Sequence, residues 1–211
     1  MSQPTDEDRI EAIKKWWSEN GTAMILGLLL GIGSLVGWRM WTGYVENQSI
    51  QASEIYLSMQ GLARVDAEAA SEQGRMLKED FQGTPYAMLA ALDLARMAAE
   101  AEDLEGAETH LRWVIDRTRH DDQKHLARAR LARVLIADGR YQDALDTLDG
   151  EIPEGFLALV EELRGDAHRG LDEPTEARAA YDRAILASAG VADYLRMKRD
   201  DLSEADATGA Q

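Results

Sequence analysis

The sequence predicts an all-α protein, in which a single N-terminal transmembrane helix is followed by a stack of paired helices. Three observations carry this. Residues 22 to 38, TAMILGLLLGIGSLVGW, hold no charge and are almost wholly apolar. Beyond residue 60, Ala, Leu, Glu and Arg dominate, and these are helix formers; no strand-like alternation occurs. From residue 84 onward the sequence repeats itself at the length of a helix pair.

The span comes first. Charges stop at Glu19 and resume at Arg39. The apolar part, about 18 residues, covers roughly 27 Å as a helix, close to the thickness of a bilayer core. Trp16 and Trp17 precede it, and Trp38, Trp41 and Tyr44 follow, as in an aromatic belt at each interface. Residues 1–21 carry Arg9, Lys14 and Lys15, whereas the twenty residues after the span carry only Arg39. The rule that counts Lys and Arg therefore puts the leader in the cytoplasm and the rest of the chain across the membrane. A cleaved signal peptide is the rival reading. It requires small residues at the cleavage site, and this span ends in Trp38, Arg39, Met40 and Trp41. The expectation is an uncleaved anchor over residues 22–38.

Of the 211 residues, roughly 170 then remain outside the membrane, enough for one domain. Cysteine is absent, so disulfides, zinc–thiolate sites and thiol catalysis are excluded. A formal charge of −16 disfavours nucleic acid and repels anionic lipid headgroups.

Residues 39–83 read as a membrane-proximal helical segment. Ala52, Ile55, Tyr56, Met59 and Leu62 form one stripe at helical spacing, and a shorter pattern holds Leu77 and Phe81. Thr84-Pro85 then reads as an N-cap followed by proline at the first helical position. Residues 84–202 repeat. A small residue, Ala twelve later and a large residue four beyond recur as Ala95, Ala107 and Leu111; Ala132, Ala144 and Leu148; Gly165, Ala177 and Tyr181. The offsets are 37 and 33 residues, and turn-like residues (Glu102-Asp103, Asp138-Gly139, Gly170-Leu171-Asp172) divide each unit into two helices. This is the period of a tetratricopeptide repeat, and it predicts a tetratricopeptide-like α-solenoid. Small residues let the paired helices approach, and the large one fills the space against the next pair. The aromatic usual early in the first helix is replaced by Ala91, Arg128 and Glu161. A plain helical array without repeat ancestry is the simpler alternative.

In such a stack the first helices line a concave groove. That places Leu89, Leu92 and Arg96, then Leu126, Arg133 and Ile136, then Leu159, Glu162 and Arg169 on one surface. An apolar stripe of this kind needs a cover, either a partner's segment or the chain's own helix from about Val191 to Leu202 acting as a cap. The tail from Ser203 to Gln211 lacks large apolar residues and is expected to be disordered.

Signals of catalysis are weak. His110, His120, His125 and His168 make no i, i+4 pair and no HExxH, so no metal site is expected. Gly31, Gly33 and Gly37 miss GxGxxG by one residue, and no nucleophile elbow occurs. The expectation is a non-enzyme without cofactor or small-molecule substrate. The glycines have another use: Gly27, Gly31 and Ser34 form a small-residue face on which a second membrane helix could pack, and Gly33 with Gly37 forms another.

Particular stretches resemble the YfgM family. They are Lys15-Trp16-Trp17 with Asn20-Gly21, the exit Gly37-Trp38-Arg39 with Trp41, Thr84-Pro85-Tyr86-Ala87 with Leu89 to Leu92, and Ala107 with Leu111-Arg112-Trp113. Leu131 to Leu135 with Gly139-Arg140-Tyr141 and Ala144-Leu145 agree too, as do Glu162 to Asp166 and Ala177 to Tyr181. The resemblance covers residues 8 to about 200. It implies a bitopic protein of the Gram-negative inner membrane with a periplasmic domain, an ancillary subunit of the SecYEG translocon linked to the membrane-anchored periplasmic chaperone PpiD. It also implies a link to the Rcs envelope-stress response. The alternative function is therefore negative regulation of an Rcs-type response regulator through the cytoplasmic leader.

Overall fold

The chain has four prolines, Pro4, Pro85, Pro153 and Pro174, so nothing interrupts a helix between residues 5 and 84 except turns. The computed structural model describes the backbone of residues 6–188 and 192–209, with side chains for these except 6–9, 12, 13 and 203–209. Among the described residues it holds nine α-helices and no strand: α1 (Asp6–Leu62), α2 (Ala67–Asp80), α3 (Pro85–Glu100), α4 (Leu104–Arg117), α5 (Asp121–Ala137), α6 (Tyr141–Thr147), α7 (Glu154–Gly170), α8 (Pro174–Ala187) and α9 (Asp193–Gly209). Pro85 and Pro174 stand at helix starts and Pro153 at the N-cap of α7, where a missing N–H costs nothing. The chain divides into two units, Met1–Gln51 and Ala52–Gln211.

The first unit is the greater part of α1. It is apolar all round through the span, and its large side chains lie open: Leu35 is 72% and Trp38 71% exposed. A helix this apolar and this uncovered is long enough to cross a membrane, and hydrocarbon is the solvent that suits it. Its flanking polar groups are satisfied within the helix. Ser18 donates to the Lys15 carbonyl, Asn20 to that of Trp16 and Thr42 to that of Arg39.

The second unit is a row of helix pairs in which, from α2 onward, each helix packs on the next along the chain. The row begins at Ala52, earlier than the residue-84 start expected from the repeat. The end of α1 and α2 form the first pair: Ala52, Met59, Ala70 and Leu77 bury together with Ala90 and Leu94 of α3. This pair lacks the small–Ala–large register, which hid it in the sequence. Instead Gly74 admits the Leu94 side chain, whose Cγ lies 2.8 Å from where a Cβ would sit. Pairs α3/α4, α5/α6 and α7/α8 follow; α3 to α7 share one core that includes Ala95, Ala107, Leu111, Ala132, Ala144, Leu148 and Leu163, while the buried residues of α8 cluster with α9. All nine residues of the sequence register are buried.

The turns inside these three pairs are identical in construction. Glu102 (φ 62°), Gly139 (φ 75°) and Asp172 (φ 60°) are left-handed. In each, the following N–H reaches back to the helix: Asp103 to Ala98 O, Arg140 to Leu135 O and Glu173 to His168 O, at 2.9, 2.8 and 3.0 Å. This is the Schellman ending. The same three residues are the N-caps of the next helices, and their carbonyls accept from Ala107, Ala144 and Ala177. The turn thereby sets the register of the alanine that packs between the helices.

Thr84 occupies the N-cap position, but its hydroxyl donates to the Phe81 carbonyl instead of capping α3. The positions that lack the repeat aromatic make other contacts. Ala91 is buried with Val114 and Ala127, while Arg128 donates to the Thr147 and Asp149 carbonyls. Glu161, 3% exposed, binds Arg164 at 2.6 Å and Arg183 at 2.7 Å.

Helix α9 packs on α8 through Ala177, Tyr181, Ala184, Ala192, Leu195 and Leu202. Val191, the expected start of this helix, lies outside the described residues, as do residues 1–5 of the leader and 210–211 of the tail. The α9 backbone is helical through Gly209, over most of the tail for which disorder was expected.

Candidate partner-binding groove

Helices α3, α5 and α7 are the first helices of their pairs, and α3 and α5 flank a cleft of about 510 Å³. Its floor is apolar: Leu92, Ala95 and Ala99 from α3, Leu104 and Leu111 from α4, Val134 and Ala137 from α5. The alanines create the room, because helix faces with methyl groups leave space that leucines would fill. Asp93, Arg96, Glu100, Arg130 and Arg133 form the rim. A second trough, about 690 Å³, shares Asp93, Arg96 and Glu100 and continues across α3 to Met59, Gln60, Ala63 and Arg64 near the end of α1.

The two sides of the cleft differ electrostatically. On α3, Arg96 holds both oxygens of Glu100, at 2.8 and 2.9 Å, and lies 3.7 Å from Asp93. Asp93 also accepts the Tyr56 hydroxyl at 2.8 Å; burial, then that carboxylate, pushes the Tyr56 phenol up to about 12. The two acids of the α3 side are thus engaged by Arg96 and Tyr56 of this same unit. On α5, Arg130 and Arg133 are exposed, and among the described residues neither has an ion pair or hydrogen bond.

The expected groove residues divide. Leu92, Arg96 and Arg133 meet at this cleft. Ile136 and Leu159 are half-buried against the main core, as is one side of Leu92. Leu89 is exposed, Leu126 half-buried, and neither lines the cleft. At the last pair α9 closes the surface. Tyr194 donates to Glu162 at 2.9 Å, and Lys198 binds Glu162 and Asp166, both at 2.8 Å. Burial alone would lower the Lys198 ammonium, yet its bonds to Asp166 and Glu162 hold it above the usual lysine range. The cap reading therefore applies at Glu162, while the cleft between α3 and α5 stays open. Gly27, Gly31 and Ser34 belong to the other unit, and a Cβ at either glycine would meet nothing within 4 Å. Sequence reasoning missed Arg130, because a tetratricopeptide projection places only selected positions on the concave face.

The histidines serve packing and capping. His110 is half-buried, and burial followed by the Lys78 charge lowers it to about 4. Its neutral Nδ1 accepts from Lys78 at 2.7 Å, while Lys78 and Arg117 both lie over the Trp113 ring. His125 packs on Phe156 and His168 pairs with Glu173. Among the described residues no group of three or more His, Asp or Glu is placed to hold a metal ion.

A tetratricopeptide repeat-like domain model matches residues 14–204. The chain is 30% identical over 203 residues to an ancillary SecYEG translocon subunit of Escherichia coli strain K12, covering 94% of this chain and 97% of the relative. It is 29% identical to the protein of that name from Haemophilus influenzae, over 85% and 88% of the two chains. For the Neisseria gonorrhoeae protein of that name the identity is 26%, over 93% and 97%. No solved structure gives a significant match.

Proposed function

The chain belongs to the YfgM family of membrane-anchored, tetratricopeptide repeat-like proteins, and from that premise we propose that it is an ancillary subunit of the Sec translocon acting as a non-catalytic adaptor. In this reading the leader is cytoplasmic, the span lies in the bacterial inner membrane, and the helical row is periplasmic, where it links the translocon to a chaperone of the PpiD type. One observation carries the proposal: the similarity runs through anchor and helical row alike, 203 residues without loss of either part. Arg9, Lys14 and Lys15 ahead of the span support the orientation.

The physics suits an adaptor. Covalent attachment of the helical row to a span concentrates it at the membrane without any new contact. The small-residue face at Gly27, Gly31 and Ser34 offers close approach to a helix of the channel. The groove offers an apolar floor with a charged rim, a pattern that supports non-covalent binding fast enough to reverse.

The test is recovery of SecYEG with the tagged full-length protein from membranes in mild detergent. Photo-crosslinkers at Gly27 and Arg133 report the membrane face and the groove separately. Crosslinks to translocon subunits from Gly27, and to a periplasmic chaperone from Arg133, are the expected result. Ala137→Trp, which fills the cleft from an exposed lining position, should remove the chaperone band while circular dichroism stays helical. Purification without any SecYEG subunit would end this reading.

A further inference from the structure

We propose that the cleft between α3 and α5 takes an acidic, aliphatic segment of a partner protein, with Arg130 and Arg133 holding its carboxylates. The inference rests on the adaptor reading and adds the chemistry of the partner. Arg130 and Arg133 are three apart on α5 and so lie side by side on one helix face. Both are exposed, both line the same cleft, and among the described residues no carboxylate or carbonyl engages them. Their neighbours behave otherwise. Arg128 is bound to two carbonyls, and Arg112 and Arg140 share Glu108.

The carboxylates within the cleft do not serve Arg130 and Arg133. Glu100 is held by Arg96, and Asp93 accepts the Tyr56 hydroxyl. Three arginines against two acids leave this cleft net positive, in a chain whose formal charge is −16. A carboxylate brought between two guanidinium groups on one helix face can form paired N–H···O bonds with them. Below them the floor of Leu92, Leu104, Leu111 and Val134 accepts aliphatic side chains. The second trough, beyond α3, extends the surface with Met59, Ala63 and Met97, a length that suits a chain segment better than a small molecule.

The experiment uses the full-length protein in detergent micelles and three fluorescein-labelled peptides of about twelve residues. Each combines leucine and serine with glutamate, glutamine or lysine in the same positions. By fluorescence anisotropy the glutamate peptide should bind at least about tenfold more tightly than the other two, and less tightly as salt rises. Arg130→Glu with Arg133→Glu should abolish that preference, whereas Arg119→Glu, an exposed arginine outside the cleft lining, should leave it intact. Equal binding of the three peptides would overturn the charge selection and leave the groove reading standing. No binding of any peptide would overturn the inference, while the adaptor reading is judged independently by recovery of SecYEG. Tighter peptide binding after deletion of residues 203–211 would show the chain's own acidic tail as the occupant. Dimers that dissociate in the double charge reversal would show a second copy. Either result also overturns the proposal.

Discussion

At Gly165 a missing side chain decides how closely α7 and α8 approach. A Cβ there would stand 2.5 Å from Cε1 of Tyr181. The ring cannot yield, since Tyr181 is fully buried and its hydroxyl donates to Asp166 at 2.7 Å. Burial, then that carboxylate, raises the Tyr181 phenol well above its usual range, so it stays a donor at any ordinary pH. Gly165→Ala should therefore cost about 2–3 kcal/mol as an overpacked core. A lower urea midpoint with unchanged slope is the expected reading, and an unchanged midpoint would refute the close-approach account. This position was legible, because glycine, alanine and tyrosine stand at the spacing shared with two other units. Arg128 and Glu161 were not. They occupy positions where an aromatic was expected, and only the folded chain brings the Thr147 carbonyl or the Arg183 guanidinium within reach. A polar residue can replace an aromatic inside a repeat only when long-range partners satisfy it, and such partners leave no local trace.

The same logic at the level of elements concerns the three turns. Each joins two helices through one left-handed residue that serves a Schellman ending, yet only the middle turn uses glycine. Left-handed backbone costs an L-residue about 1–2 kcal/mol, less for Asp than for Glu. Glu102→Gly should thus stabilise the protein by about 0.5–1 kcal/mol after the entropy of glycine in the unfolded chain is set against the relief, and Asp172→Gly by less. Gly139→Ala should destabilise by about 1 kcal/mol. Thermal unfolding of the three variants decides it; a loss of stability in Glu102→Gly would contradict the strain argument. Polar clusters marked these turns in the sequence, but their common geometry did not show. Glutamate, glycine and aspartate share no obvious signature, and the left-handed conformation is imposed by the two helices the residue must join.

For the whole molecule, the row of helices starts at Ala52, so α1 supplies both a membrane span and half of the first helix pair. A fragment of residues 52–211 should fold cooperatively without detergent. A fragment of residues 84–211 exposes Ala90 and Leu94 and loses their partners Met59 and Leu77, a loss of about 3–5 kcal/mol by the burial of large apolar side chains. Urea melts of the two fragments test this, and equal stability would mean that the first pair adds nothing. By itself the sequence determined the helical class, the span and the period of the three later pairs. Those features depend on local composition and spacing, which a helix reads within a few turns. Tertiary structure alone decided that the row begins one pair earlier, that α9 closes the surface at Glu162, and that Arg130 and Arg133 line one cleft in which, among the described residues, no carboxylate is paired with them. Each of these is a relation between residues distant along the chain, and its energy exists only once the helices are packed.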